Sequence, residues 1–392
     1  MTASPLVFLV VGEASGDVIG ARVMQALKRQ TGGEIRFAGV GGPRMAEQGL
    51  ASLFPMDELS LFGLAEVLPK IRQLKRRIEE TVAAALDARP DAMVTIDSPG
   101  FNFRVGRRLG ARRFPLIHMV APTVWAWKPK RAAEIASFLD HLLVLYPFEP
   151  PYFEREGLPT DFVGHPIVEA GADQGDGPGF RARHGIPAEA PLLCVLPGSR
   201  RSEVARLTGP FGETVARLAA DRPGLQTVVP TVPWVEAAVR DAVAAWPVPA
   251  AVTLGDPEKY GAFAAADAAL AASGTVALEL ALARLPAVVA YRVNWATGIA
   301  GRLLIKVDYV NLVNIMENRR IVPEFLQGRC RADLMVPALA PLLDRGPERA
   351  TQIEGLATVA SHLGQGGTPP SDRAAAAVLR VMETGRRRTR KA

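Results

Sequence analysis

Four short segments place chemistry-bearing side chains directly after apolar runs. The first, Gly12-Glu13-Ala14-Ser15-Gly16-Asp17, follows Leu6–Val11 and leads into a helix expected to begin near Val18. Its glycines permit a tight turn close to a ligand, and a helix start attracts negative charge. Glu13 and Asp17 argue against a bare phosphate cradle and for sugar hydroxyls; helix capping is the alternative for Asp17. The second segment is Asp97-Ser98-Pro99-Gly100-Phe101-Asn102. A carboxylate at the end of a buried strand can serve as a general base, with a pKa raised by partial desolvation. The alternative is an aspartate that orders the turn before Pro99. The third, Leu196-Pro197-Gly198-Ser199-Arg200-Arg201-Ser202-Glu203, brings backbone amides and guanidinium groups together, as a diphosphate would require. The fourth, Ala272-Ser273-Gly274-Thr275-Val276-Ala277-Leu278-Glu279, repeats the strand–turn–helix logic. Glu279 shares a helix face with Thr275 and suits ribose hydroxyls, while the turn amides suit phosphate. Two such loops in one half of the chain point to a nucleotide diphosphate.

Absent motifs narrow the chemistry. No Gly-x-Gly-x-x-Gly follows a strand, and no Gly-x-x-x-x-Gly-Lys-Ser/Thr occurs, which argues against dinucleotide-dependent dehydrogenases and P-loop NTPases. The first glycine-rich loop does not match a Gly-x-Ser-x-Gly nucleophile elbow. No Asp-x-Asp pair offers to hold a metal against a diphosphate, so the expectation is a site without metal, its charge met by Arg200, amides and a helix dipole. The five histidines are scattered; His165, in Gly164-His165-Pro166, is the best functional candidate among them. Cys194 and Cys330 fit neither a disulfide framework nor a zinc site.

The elements that must position these loops alternate as short strands and longer helices, the pattern of parallel βαβ units. The strands expected in one sheet are Leu6–Val11, Ile35–Val40, Ala92–Ile96, Pro115–Val120 and His141–Tyr146, and a second series is expected at Leu192–Leu196, Thr227–Val229, Ala251–Leu254, Ala268–Ala272 and Ala287–Tyr291. At 392 residues two cores are expected. The fold class is therefore α/β, with two doubly wound, Rossmann-like domains facing a cleft, and ligands outside the carboxyl ends of the strands. The expected divisions are residues 1–168, 169–345 and 346–392, with a C-terminal helix over 370–385 returning to the first domain. Ala170–Gly179, rich in Gly and Asp, reads as the linker. The net charge of +6 does not point to nucleic acid: five charges sit in Arg386–Lys391, leaving the other 387 residues near +1. Such a tail is either a solvated end or a lipid-surface contact contributing roughly 1 kcal/mol per basic residue. No run is long and apolar enough to span a bilayer, and the location expected is cytoplasmic.

Six motifs in order resemble the lipid-A-disaccharide synthase family: the loop at Gly12–Asp17, Val124-Trp125-Ala126-Trp127, Gly164-His165-Pro166, Leu196–Arg200, Ala272–Thr275 and Asp308-Tyr309-Val310-Asn311-Leu312-Val313-Asn314. The resemblance covers most of the chain. It implies a glycosyltransferase-B fold, with an N-terminal acceptor domain that meets the membrane and a C-terminal donor domain. It further implies an inverting, cofactor-free transfer from UDP-2,3-diacylglucosamine to the 6-hydroxyl of 2,3-diacylglucosamine 1-phosphate at the inner face of the inner membrane. Asp97 matches the base; Gly198, Ser199, Arg200, Ser273, Gly274, Thr275, Glu279 and Asn314 fall on the donor side. Glu13, Ser15, Gly16, Asp17, Trp125 and His165 fall on the acceptor side of the cleft. Two positions depart from the family: Gly100, where an acid is common, and Ala121, where a serine is common. A sugar-nucleotide epimerase, which would need no acceptor, and a non-catalytic sugar-nucleotide-binding protein are the alternatives. The oligomeric state stays open, a homodimer included.

Acylated substrates require contact with a lipid surface. Ser60–Ile71 is unusually apolar and is followed by Arg72, Lys75, Arg76 and Arg77, the composition of an interfacial helix, although packing on the first sheet explains it equally. Polar replacements at Phe62, Leu64 and Leu68 are expected to weaken liposome flotation and leave UDP affinity intact; unchanged flotation would return this segment to the core.

Overall fold

The computed structural model describes residues 4–59, 64–126, 129–293 and 308–391. The chain divides into two compact units, Met1–Pro166 with Gly367–Ala392, and Ile167–Gly366. In the first, the strands are β1 (Leu6–Val11), β2 (Arg36–Val40), β3 (Ala92–Ile96), β4 (Leu116–Met119), β5 (His141–Val144) and β6 (Thr160–Phe162). Helices α1 (Ala14–Gln30), α2 (Pro43–Glu47), α3 (Leu64–Ala88), α4 (Pro99–Arg108), α5 (Arg131–Ala136) and α6 (Pro150–Glu154) alternate with them. Continuous apolar runs such as β1 and β3 are buried because helices cover both faces of a parallel sheet.

The sheet order is β2-β1-β3-β4-β5-β6, all pairs parallel. The chain leaves β1 in one direction and resumes at β3 on its other side, so the loops after β1 and β3 emerge side by side at the topological switch point. Val11 lies opposite Ile96, and the loops carrying Glu13 and Asp97 follow at once.

The second unit repeats the plan. It begins with α7 (Gly177–Arg183) and continues through β7 (Leu192–Leu196), α8 (Arg201–Asp221), β8 (Gln226–Thr231), α9 (Glu236–Val243), β9 (Ala250–Leu254) and α10 (Asp256–Ala265). It then runs through β10 (Ala268–Ala272), α11 (Val276–Leu282), β11 (Ala287–Tyr291), α12 (Leu312–Glu317), β12 (Glu324–Leu326), α13 (Ala332–Leu343) and α14 (Pro347–Leu363). The order is β12-β11-β10-β7-β8-β9, again parallel throughout. Here β7 and β10 flank the switch, which sets the third and fourth loops beside one another.

The last helix, α15 (Pro370–Lys391), lies on the first unit. Ala374, Ala375, Val378 and Met382 enter the core that α1 covers. Arg29 pairs with Asp372 at 2.7 Å, and Arg380 pairs with Asp161.

Two features depart from the sequence reading. Strands β6 and β12 span three residues each, too short for a periodic signal. The Gly/Asp-rich stretch is not a free linker, because α7 starts within it. A Cβ on Gly175 would stand 2.0 Å from the Tyr260 carbonyl oxygen, and one on Gly177 2.5 Å from that of Ala264. These glycines let the backbone lie directly on α10.

Candidate functional site

At the first switch point, Asp97 (φ +52°) and Ser98 (φ +44°) are consecutive non-glycine residues in left-handed conformations. Strain of this kind costs of order 1–3 kcal/mol per residue and persists where the surroundings enforce it. Buried Asn102 does so, its Nδ2 donating to the carbonyl oxygens of Asp97 (2.8 Å) and Ile96 (3.3 Å). The Asp97 N–H donates to the Met119 carbonyl at 2.9 Å. Burial raises the Asp97 carboxyl pKa above the ordinary carboxylate value, against a hydrogen bond from the Ser98 backbone that lowers it. Glu13 is likewise raised, first by desolvation and then by the charge of Asp97, so the two carboxylates sense each other. The approach at Gly12 is close: an added Cβ would sit 2.7 Å from Ser98 Oγ.

The neighbouring candidates separate. Ser15 is exposed in the first turn of α1, whereas Gly16 is buried where that helix rises from the sheet, its added Cβ 3.3 Å from that of Val11. Asp17 does not fit the expected sugar-hydroxyl role. It is buried, and Oδ1 accepts the N–H groups of Gly42 (2.9 Å) and Met45 (3.0 Å) while Oδ2 accepts that of Arg44 (2.9 Å). It therefore caps α2, a different helix from its own. Trp125 donates from Nε1 to Glu149 Oε1 at 3.4 Å, and its ring meets Phe148 edge-on at 5.3 Å. Burial pushes the Glu149 carboxyl up to about 7 despite this bond and those from the Tyr146 and Leu145 amides. His165 lies 5.5 Å from the Tyr146 ring, and desolvation pushes its imidazole down to about 4, so it is neutral at physiological pH. Trp127 and Phe62 lie outside the described residues. Leu64 and Leu68 lie in the first two turns of α3.

In the second unit a cavity of about 330 Å³ is lined by Gly198, Ser199, Arg200, Ser273, Gly274, Thr275 and Glu279. All the expected donor-side residues meet there except Asn314. Gly198 (φ +107°) turns the chain where an added Cβ would lie 2.5 Å from Glu203 Oε2. Glu203 is a residue the sequence reading left without a role. Its Oε2 accepts the N–H groups of Ser199 (3.1 Å) and Arg200 (3.2 Å). Its Oε1 takes Arg200 Nη1 (2.9 Å) and Tyr291 Oη (3.0 Å). The Ser199 amide expected to meet phosphate is thus occupied by a helix-capping carboxylate; Arg-x-x-Glu at the helix start was the available signal. The loop keeps its cation, since the Arg200 side chain is 76% exposed. Lys259 also lines the cavity, with Nζ 2.9 Å from both Asp256 Oδ1 and Glu279 Oε1. Lys259 could not be found from spacing, because it lies twenty residues before its partner. Trp234, exposed at 65%, donates from Nε1 to the Ser199 carbonyl at 2.8 Å and steadies the same loop.

Asn314 does not reach the cavity. It is fully buried, donates from Nδ2 to the Val322 carbonyl (2.7 Å) and Glu324 Oε1 (2.6 Å), and accepts through Oδ1 from Ile321 (2.8 Å) and Val322 (2.9 Å). Both donors and both acceptor lone pairs are engaged, so it acts as a clamp between α12 and β12 rather than as a donor-side ligand.

Paired parallel α/β units, each with its polar loops at a sheet's switch point, define a glycosyltransferase-B-type protein. Solved structures share the architecture across the chain. The UDP-GlcNAc 2-epimerase of Neisseria meningitidis bound to UDP-GlcNAc has a TM-score of 0.60 at 11% identity, covering 97% of this chain and 99% of that one. MurG of Acinetobacter baumannii has a TM-score of 0.58 at 14% identity, covering 96% and 99%. The lipid-A-disaccharide synthetase family model matches residues 7–377, and this chain belongs to that family. The lipid-A-disaccharide synthase of Rhodospirillum centenum is 59% identical over 379 residues, covering 96% of this chain and 94% of that relative. The chain is accordingly a glycosyltransferase, and the epimerase reading has only shared fold behind it.

Proposed function

We propose that the enzyme transfers 2,3-diacylglucosamine from UDP to the 6-hydroxyl of 2,3-diacylglucosamine 1-phosphate, yielding a β(1→6) disaccharide 1-phosphate and UDP. The observation that carries the mechanism is Asp97, strained and raised in pKa at the carboxyl end of β3. Its carboxylate takes the proton of the acceptor hydroxyl as that oxygen bonds to the donor's anomeric carbon. The bond from that carbon to the UDP oxygen breaks in the same displacement, inverting the centre. Charge then develops on the diphosphate, where Arg200 and the loop at Ser273–Thr275 stabilise it. Glu279, held by Lys259 and Tyr260 through Oε1, keeps its second oxygen for a ribose hydroxyl.

The first unit is assigned to the acceptor and the lipid surface, the second to the nucleotide sugar. Among the described residues no helix is long and apolar enough to cross a membrane. Acyl chains on both substrates place the working enzyme at the inner face of the inner membrane as a peripheral protein.

UDP release from purified protein tests the reading, using UDP-2,3-diacylglucosamine with and without the 1-phosphate acceptor. Release should require acceptor, yield a disaccharide phosphate and vanish in Asp97→Ala. Acceptor-independent conversion of the donor would favour an epimerase. Tight UDP binding without turnover would leave a binding protein.

A further inference from the structure

A second cavity, about 610 Å³, lies wholly within the first unit and begins two residues after Asp97, along α4. Gly100, Arg104 and Arg107 are spaced i, i+4, i+7, so they form one stripe of the helix. Lys130, Arg131 and Glu134 line the cavity from the start of α5. Four cations therefore share the space with one carboxylate, which is paired with Arg107. Among the described residues no carboxylate is paired with Arg104, Lys130 or Arg131.

The Arg104 and Arg131 guanidinium groups are held in place by contacts that leave their charge available. Arg104 Nη1 donates to the Gly100 carbonyl at 2.6 Å. Arg131 lies over the Phe103 ring at 5.4 Å and Arg107 over that of Phe138 at 5.4 Å. An arginine oriented by an aromatic face presents its remaining N–H fork in a fixed plane, suited to two oxygens of a phosphate. At Gly100 the end of the stripe nearest Asp97 stays open, since an added Cβ would meet nothing within 4 Å.

We infer that Arg104, Lys130 and Arg131 form a phosphomonoester site that seats the acceptor's 1-phosphate while its 6-hydroxyl, at the other end of the sugar ring, meets Asp97. The inference rests on the function proposed above and names the acceptor's anchor. A phosphate headgroup of the bilayer offers the same oxygens, so the test separates the two sources. Both replaced residues are exposed, and the Arg107–Glu134 pair is left intact in the double variant Arg104→Gln/Lys130→Gln.

Binding of soluble glucosamine 1-phosphate is measured first, because it needs no turnover and no membrane. The double variant should bind it at least about tenfold more weakly than the parent does. Unchanged binding in the double variant overturns the site whatever the enzyme's activity. Turnover is measured next with the 1-phosphate acceptor and with its dephosphorylated form. The parent's lower KM for the phosphorylated acceptor should disappear in the double variant, with donor KM unchanged. If that preference survives and only binding to vesicles of phosphatidylglycerol falls, the cations serve the headgroup and the acceptor assignment is overturned. Absence of any transfer by the parent, with glucosamine 1-phosphate still bound through these residues, would count against the proposed reaction and leave the phosphate site standing.

Discussion

Asp97→Asn should lower turnover by about 10²–10⁴-fold, the usual worth of a positioned general base, with UDP affinity unchanged. The substitution keeps shape and removes only the capacity to take a proton. Asparagine is among the few residues that tolerate a left-handed backbone, so the φ of +52° at this position is retained. The Asn102 bonds also persist, because they go to backbone carbonyls. The pH profile gives an independent reading. Burial raises the Asp97 pKa, so the parent should lose activity as pH falls at a value above that of an ordinary carboxylate. That acid limb should be missing from the residual activity of Asp97→Asn. Stability should move the other way. A carboxyl whose folded pKa exceeds its unfolded pKa stabilises the fold most when protonated, and that contribution is lost as pH rises through the folded value. At neutral pH the ionised side chain is the unfavourable form, and the neutral amide should raise the melting temperature slightly. Loss of turnover together with an equal loss of UDP binding would remove Asp97 from the role of base.

The parts of this molecule legible in the sequence are those that local chemistry dictates. Leu6–Val11, Ala92–Ile96, Leu192–Leu196, Ala268–Ala272 and Ala287–Tyr291 read as buried parallel strands because both their faces are apolar, and the structure places strands at those bounds. The edge strands carrying Asp161 and Glu324 were not legible, since three residues with a charge among them have no apolar pattern. The glycines near residue 175 were misread because low side-chain volume signals a linker and a close backbone contact equally well. At the site, each loop could be identified from its own residues, but the relation between Glu13 and Asp97 could not. They are far apart in the chain and become neighbours only because β1 and β3 are adjacent in the sheet. Asp17, Ser199 and Asn314 illustrate the converse difficulty. A polar residue in a functional-looking loop has the same sequence signature whether it serves a ligand or satisfies buried backbone groups.

Asn314 makes that distinction measurable. Truncation in Asn314→Ala would leave the Ile321 and Val322 N–H groups and the Val322 carbonyl without their present partner. Each unsatisfied buried group costs about 1–3 kcal/mol, so a loss of about 3 kcal/mol is a conservative expectation. For a unit of this size that corresponds to a fall in melting temperature of about 6–12 °C. Asn314→Asp should fare little better, because a carboxylate can still accept from Ile321 and Val322 but cannot donate to the Val322 carbonyl, and it would face Glu324. The folded fraction of either variant should keep its UDP affinity within a few-fold, since the cavity lined by Arg200, Lys259 and Glu279 does not include this residue. Calorimetric melting and UDP titration on the same preparation decide the matter. An unchanged melting temperature with UDP binding abolished would return Asn314 to the donor site, whereas the reverse pattern fixes its work as holding β12 to α12 at the edge of the second sheet.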